Sequence, residues 1–424
     1  MIFWLPLAAT WLMMSVEGPF LAAIIARLPQ AKFNLAAYGV AFSLALIIEA
    51  PIIMMLSAST ALVRNGQSFK KLRNFNAWLS GLITLLMLIL LIPDIFYFLT
   101  IQLIALPQNV AKLTYVSTLI LLPWPGAIGF RRFYQGVLIR NNLTRRVAYG
   151  TVVRLFAMAS FALLLYFLKI TEGAYVGAGA LSFGVLCEAF ATRLMVHKLI
   201  KRIIQADGKP DKDLSYRSIT HFYYPLALTA ILGLGVHPFI TFFVGHSRYA
   251  IESLAVLPVV NSLVFIFRSV GLSYQEVGIA LMGDEWKEYD ALRNFALILG
   301  ISASSLLAII AFTPLSRLWF VDISGLNTEL ARFAIVPAKI LVIIPALSVL
   351  LSFQRSMLVN SEITSPITTA TLLEVSGIII SLYFLIYSFD LIGATAAAIA
   401  LIAGRLSANL FLLRHAPGEK FNKK

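Results

Sequence analysis

Long apolar runs, broken by short polar stretches, recur along the whole 424-residue chain. Each run holds about 20 residues, enough to cross a bilayer core as a helix. The pattern predicts twelve such helices, over 3–26, 36–63, 75–99, 112–138, 147–169, 176–198, 218–244, 251–282, 294–320, 332–359, 366–389 and 391–413. Little chain is left between them, so a separate soluble catalytic domain has no room. The opening stretch MIFWLPLAATWLMM lacks a basic leader and runs on into Glu17 and further apolar residues, unlike a signal peptide.

The runs are not independent. PLAAT at 6–10 returns as PLALT at 225–229, and LRNF at 72–75 returns at 292–295. Leu138 and Thr144 are matched by Leu358 and Thr364, TVVRL at 151–155 by TLLEV at 371–375, and GAGA at 177–180 by GATA at 393–396. The matches keep their order at offsets of 216–220 residues, so the chain reads as a duplication. The expected organisation is an N-terminal six-helix bundle over 1–200, a cytoplasmic linker over 201–217, a second six-helix bundle over 218–413 and a cytoplasmic tail over 414–424. An even number of helices per copy makes the repeat parallel, an arrangement that suits a cavity between bundles and alternating access.

Composition agrees with a polytopic all-α membrane protein: 59% of residues are hydrophobic and 13% charged. The net charge of +14 could suggest nucleic acid. Its placement argues otherwise, because Lys and Arg collect in alternate short loops, the positive-inside pattern with both termini cytoplasmic. Cys187 is the only cysteine, which rules out an intrachain disulfide and disfavours a metal cluster. There is no nucleotide-binding loop and no metalloprotease or hydrolase motif, so neither an enzyme nor a self-contained ATP-driven pump is expected, and no cofactor is implied.

The chemistry therefore rests on charges inside the membrane, which are costly unless they face a partner or a cavity. Glu17, followed by Gly18 and Pro19, lies midway along the first helix, where the proline should bend the backbone. With Glu49 of the second helix it is the candidate for coupling to H⁺ or Na⁺, and Na⁺ could bind at Glu17 with carbonyls released by the bend. Arg268 lies near the repeat equivalent of Glu49, and Arg154 is the equivalent of Glu374. These three, with Lys339, Arg355, Gln275, Glu276 and Arg132, are candidates for a substrate cavity. Glu49 and Arg268 could face each other from opposite halves, as a substrate site or as a latch. Arg131 and Arg132 are adjacent on one helix, so one is expected to reach toward the cytoplasm. Glu188, Arg193 and Arg405 are expected to pair structurally, while Tyr223 and Tyr224 read as interfacial belt residues.

Three phrases point further: YGVAFSL at 38–44, FYYPLAL at 222–228 and VPAKILVIIPALSV at 336–349. They resemble the progressive ankylosis proteins, within the superfamily that also holds multidrug and toxic compound extrusion (MATE) transporters and lipid-linked oligosaccharide flippases. The resemblance implies a V-shaped pair of bundles and secondary transport, and places Lys339 at the family's basic position. Cation-coupled members often carry an acid in helix 1, the region of Glu17. The function implied is ion-gradient-driven export of an organic or phosphate-bearing anion by alternating access. The alternatives are a multidrug organic-cation antiporter coupled to H⁺ or Na⁺ and a lipid-linked oligosaccharide flippase. The expected setting is a bacterial inner membrane, with a small-molecule or lipid-linked substrate, membrane lipids as neighbours, no nucleic acid, and a monomeric state.

Overall fold

The computed structural model describes residues 4–168, 172–205, 214–282, 288–361 and 365–415. Residues 206–213 of the polar linker and 416–424 of the C-terminal tail lie outside these. Each predicted run coincides with a helix among the described residues. The helices are α1 (Trp4–Ser15 and Glu17–Ala26), α2 (Ala31–Leu62), α3 (Gly66–Leu90), α4 (Gln108–Arg140), α5 (Thr144–Phe167) and α6 (Gly173–Gln205). They continue as α7 (Tyr216–Gly245), α8 (Ala250–Leu281), α9 (Tyr289–Phe312), α10 (Thr328–Asn360), α11 (Ser365–Ser388) and α12 (Gly393–His415). All but α1 are long and apolar enough to cross a bilayer. Their outer faces carry large apolar side chains such as Trp78, Phe156, Phe167, Phe190 and Phe389, a surface that suits lipid rather than water. The chain is an integral membrane protein.

The duplication recurs in the backbone. A π-helical turn at Phe98–Leu103 is matched by one at Leu318–Ile323, 220 residues on. Each is closed by a residue at positive φ, Ala105 (+61°) and Gly325 (+74°). Gln30 and Tyr249, which precede α2 and α8, both have φ of 52°. Only 28% of the apolar window is buried in each of α3, α5, α9 and α11, against 50% in both α2 and α8. The repeat-equivalent pairs α3/α9 and α5/α11 are thus the lipid-facing helices of both copies.

Side-chain packing repeats with one informative twist. Where α4 crosses α2, Gly136 lies so close to Ser59 that an added Cβ would overlap it and come 2.5 Å from the Leu56 carbonyl. In the second copy the glycine has changed sides: Gly278 of α8 meets Ser356 of α10, with a virtual Cβ–Cβ distance of 2.7 Å. A second pair on the same crossing exchanges in the same way. Gly129 packs on Ile52, whereas Gly271 packs on Val349. The crossing needs one minimal residue at each contact, and either helix can supply it.

By contact, the chain forms two compact units: residues 1–39 with 239–424, and residues 40–238. The divisions fall within α2 and α7. In unit 40–238, Pro51 interrupts α2 ahead of a turn at Met54, and the Tyr223 hydroxyl donates to the Pro51 carbonyl at 2.5 Å. Tyr223 is therefore a buried helix–helix tie, not the belt residue expected from its position; Tyr224 remains exposed. In the other unit α1 breaks at Val16, one residue before Glu17, so Glu17 opens a new helical segment.

Candidate functional site: a charge cluster in each unit

Each unit encloses one group of charges, built on equivalent helices. In unit 40–238 the centre is Glu188 of α6, fully buried. Arg131 of α4 donates to Glu188 Oε2 through Nη1, Gln135 one turn on donates to Oε1 at 3.0 Å, and Arg154 of α5 lies 3.5 Å from Oε2 through Nε. Room for this carboxylate comes from glycines. Gly150 presents no side chain beside Glu188, and Gly184 lets α6 approach α5 until a Cβ would sit 3.1 Å from the Arg154 carbonyl. Glu49 of α2 completes the group. Its charged neighbours are Arg131, Arg132 and Arg154. Glu49 Oε2 and Arg132 Nε are buried without a hydrogen-bond partner among the described residues. Neither Arg131 nor Arg132 reaches for the cytoplasm as expected: Arg131 turns in to Glu188, and Arg132 interacts with both Glu188 and Glu49. Burial makes the attraction between these carboxylates and guanidinium groups stronger than it would be in water.

The second unit repeats the plan with different residues. Gly404 of α12 approaches the Glu374 carbonyl of α11, where a Cβ would be 2.6 Å away, as Gly184 approaches Arg154. Glu374 Oε1 pairs with Arg405 Nη2 at 2.8 Å. Arg355, the equivalent of Gln135, donates to Thr371 Oγ1 at 3.2 Å. Arg268 of α8 interacts electrostatically with Arg405, Glu374 and Arg355, and its guanidinium lies 6.0 Å from the Phe265 ring centre. Among the described residues, three guanidinium groups here face one carboxylate. Accessibility also differs: the Glu374 and Arg405 side chains are 14% and 12% exposed, whereas Glu188 is 0%.

The remaining candidates fall elsewhere. Glu17 begins the second segment of α1, where the positive end of a helix favours an acid. It interacts electrostatically with buried Tyr38, and beside it Gly18 packs on Ser262 of α8. Lys339 is exposed, with Nζ 5.4 Å from the Phe312 ring centre. Gln275 is half-buried on α8, and the Glu276 side chain lies outside the described residues. Arg193 stacks over Tyr134 at 5.6 Å. The sequence singled out single charges. It missed that Arg131, Gln135 and Glu188 act together, and that Arg355 and Arg405 join Arg268. The 220-residue offset carries the signal, since it maps Gln135 on Arg355.

No protein-family model matches the chain, and no curated protein does. Solved structures do match along nearly its whole length. A multidrug resistance MATE family transporter of the MOP superfamily, inward-facing, superposes with TM-score 0.75 at 14% identity, over 98% of this chain and 96% of that one. The lipid II flippase MurJ, inward closed, gives TM-score 0.72 at 15% identity over 100% and 90%. A MOP superfamily transporter from Pyrococcus furiosus Vc1, for which reverse polarity of the binding pocket suggests a different function, gives 0.64 at 15% over 99% and 97%. The chain has the MATE-like fold, with twelve helices.

Proposed function

We propose that the chain is a secondary active transporter that exports an organic or phosphate-bearing anion by ion-gradient-driven alternating access. One observation carries this reading: among the described residues arginine outnumbers glutamate in both clusters, three to two around Glu188 and three to one around Glu374. An interior with surplus guanidinium charge favours an anion over an organic cation. The MATE-like fold supports transport as the activity. The likeness to a lipid II flippase favours a second reading, in which the anion is a lipid-linked phosphate. The six-helix repeats 1–200 and 218–413 are the structural copies of this reading, in a cytoplasmic membrane with both termini inside.

The test is uptake into proteoliposomes under imposed H⁺ or Na⁺ gradients, with pyrophosphate, citrate, a cationic dye and a lipid-linked sugar analogue offered in parallel. Gradient-accelerated movement of an anion is expected. Movement of the dye alone would overturn the reading in favour of a multidrug cation antiporter. Glu17 is the proposed coupling residue, because it sits at the only interruption of α1 among the described residues. Glu17→Gln keeps shape but not charge, so counterflow exchange should persist while acceleration by the gradient disappears. Full gradient-driven transport in that variant would transfer the role to Glu49.

A further inference from the structure

The two charge clusters are not equivalent in what they leave open. Glu188 engages two arginines and a glutamine and is sealed from solvent, so that cluster is internally satisfied at its centre. Around Glu374 the balance is different. Arg405 takes the carboxylate, Arg355 hydrogen-bonds a neutral hydroxyl and feels Glu374 only at longer range, and Arg268 has no carboxylate within ion-pair distance among the described residues. The Nε atoms of all three arginines are buried and lack a hydrogen-bond partner among the described residues. Among the described residues the cluster thus holds two more guanidinium groups than carboxylates, in a membrane interior where an unpaired ion is expensive. The donors converge from α8, α10 and α12, three helices of one unit, and the Glu374–Arg405 pair stays partly accessible.

We propose that Arg268, Arg355 and Arg405 form an oxyanion-binding site for a group of two negative charges, and that Glu374 is the internal anion that holds Arg405 when the site is empty. Planar guanidinium groups present paired N–H donors that match the oxygens of a phosphate or diphosphate. The incoming group neutralises the surplus charge, competes with Glu374 for Arg405, and satisfies the orphan Nε donors. The site rests on the anion reading of the preceding section and locates it in unit 1–39 with 239–424. The same chemistry fits a soluble diphosphate and a lipid-borne phosphate.

The test is binding, not transport. The full-length protein in phosphatidylcholine nanodiscs is titrated calorimetrically with pyrophosphate, and again in discs containing phosphatidic acid. Saturable binding in the first discs is expected, weakened about tenfold or more by Arg268→Gln or Arg355→Gln and unchanged by Lys112→Gln, an exposed charge on α4. Glu374→Gln removes the competitor, so it should tighten binding about tenfold. This variant keeps the test decisive if an arginine variant fails to fold. A pyrophosphate signal that is weakened in the discs containing phosphatidic acid shows the lipid competing for the same arginines, which identifies the lipid-borne source and also supports the site. Equal binding by all variants, weaker binding by Glu374→Gln, or no effect of either probe overturns it. If binding follows the cluster but the proteoliposomes move no anion, the transport reading fails and the site stands. If anion transport proceeds unaltered in Arg268→Gln and Arg355→Gln, the site fails and the transport reading stands.

Discussion

Replacing Glu188 by alanine is expected to lower the stability of the protein by about 3–5 kcal/mol, the cost of removing the buried carboxylate that Arg131, Gln135 and Arg154 share. Arg131 is 4% exposed and Arg154 7%, so neither can reach water when the carboxylate is gone. Gln135 Nε2 loses its acceptor at the same time. The penalty is the isolation of charge rather than the worth of the pair. It should therefore shrink when the charge is removed too: Glu188→Leu combined with Arg131→Met should recover most of the loss. Equilibrium unfolding in mixed micelles measures both. A single variant as stable as the parent would mean that lipid or water enters this interior.

The second large effect is steric. Gly136→Ala should destabilise by about 1–3 kcal/mol, since the methyl group must displace Ser59 and the Leu56 carbonyl. Ser59→Gly alone should cost about 0.5–1 kcal/mol, through backbone freedom in a helix. The combination Ser59→Gly with Gly136→Ser rebuilds the arrangement that Gly278 and Ser356 already adopt 220 residues on. It should be more stable than the sum of its parts by about 1 kcal/mol or more, because the two positions share one contact. Recovery should be incomplete, as the Leu56 carbonyl stays in place. Strict additivity in a double-mutant cycle would show that the two helices can separate at this crossing at little cost.

The fold was legible because lipid leaves a chain few options. Backbone groups must be satisfied within each segment, so twelve apolar runs mean twelve helices, and runs such as 112–138 or 176–198 lie within the helices observed. The copy number was legible from phrases in register. The partners inside the membrane were not. Arg131 and Glu188 are 57 residues apart, and whether they meet depends on the rotation of α4 and α6 about their axes, which small residues set. Gly150 and Gly184 admit Glu188 and α6 to their places, yet a glycine in a run of alanines and leucines carries no mark of what it will face. Depth along the helix suggested Glu49 opposite Arg268. What depth did not show is that each has charged neighbours within its own unit, Arg131, Arg132 and Arg154 for the first and Arg355, Glu374 and Arg405 for the second. The Tyr223 tie depends on the break at Pro51, a non-local partner for a residue whose own surroundings read as an interface.

The exchanged glycines also limit how the chain can be recombined. A hybrid that takes its first helix pair from one copy and its fourth or tenth helix from the other would join Ser59 to Ser356, or Gly278 to Gly136. The first combination places two hydroxymethyl groups in the space of one, and the second leaves a gap. Segments 31–140 and 250–360 are thus the smallest exchangeable cassettes, and shuffling libraries of this fold will keep their viable crossovers outside them.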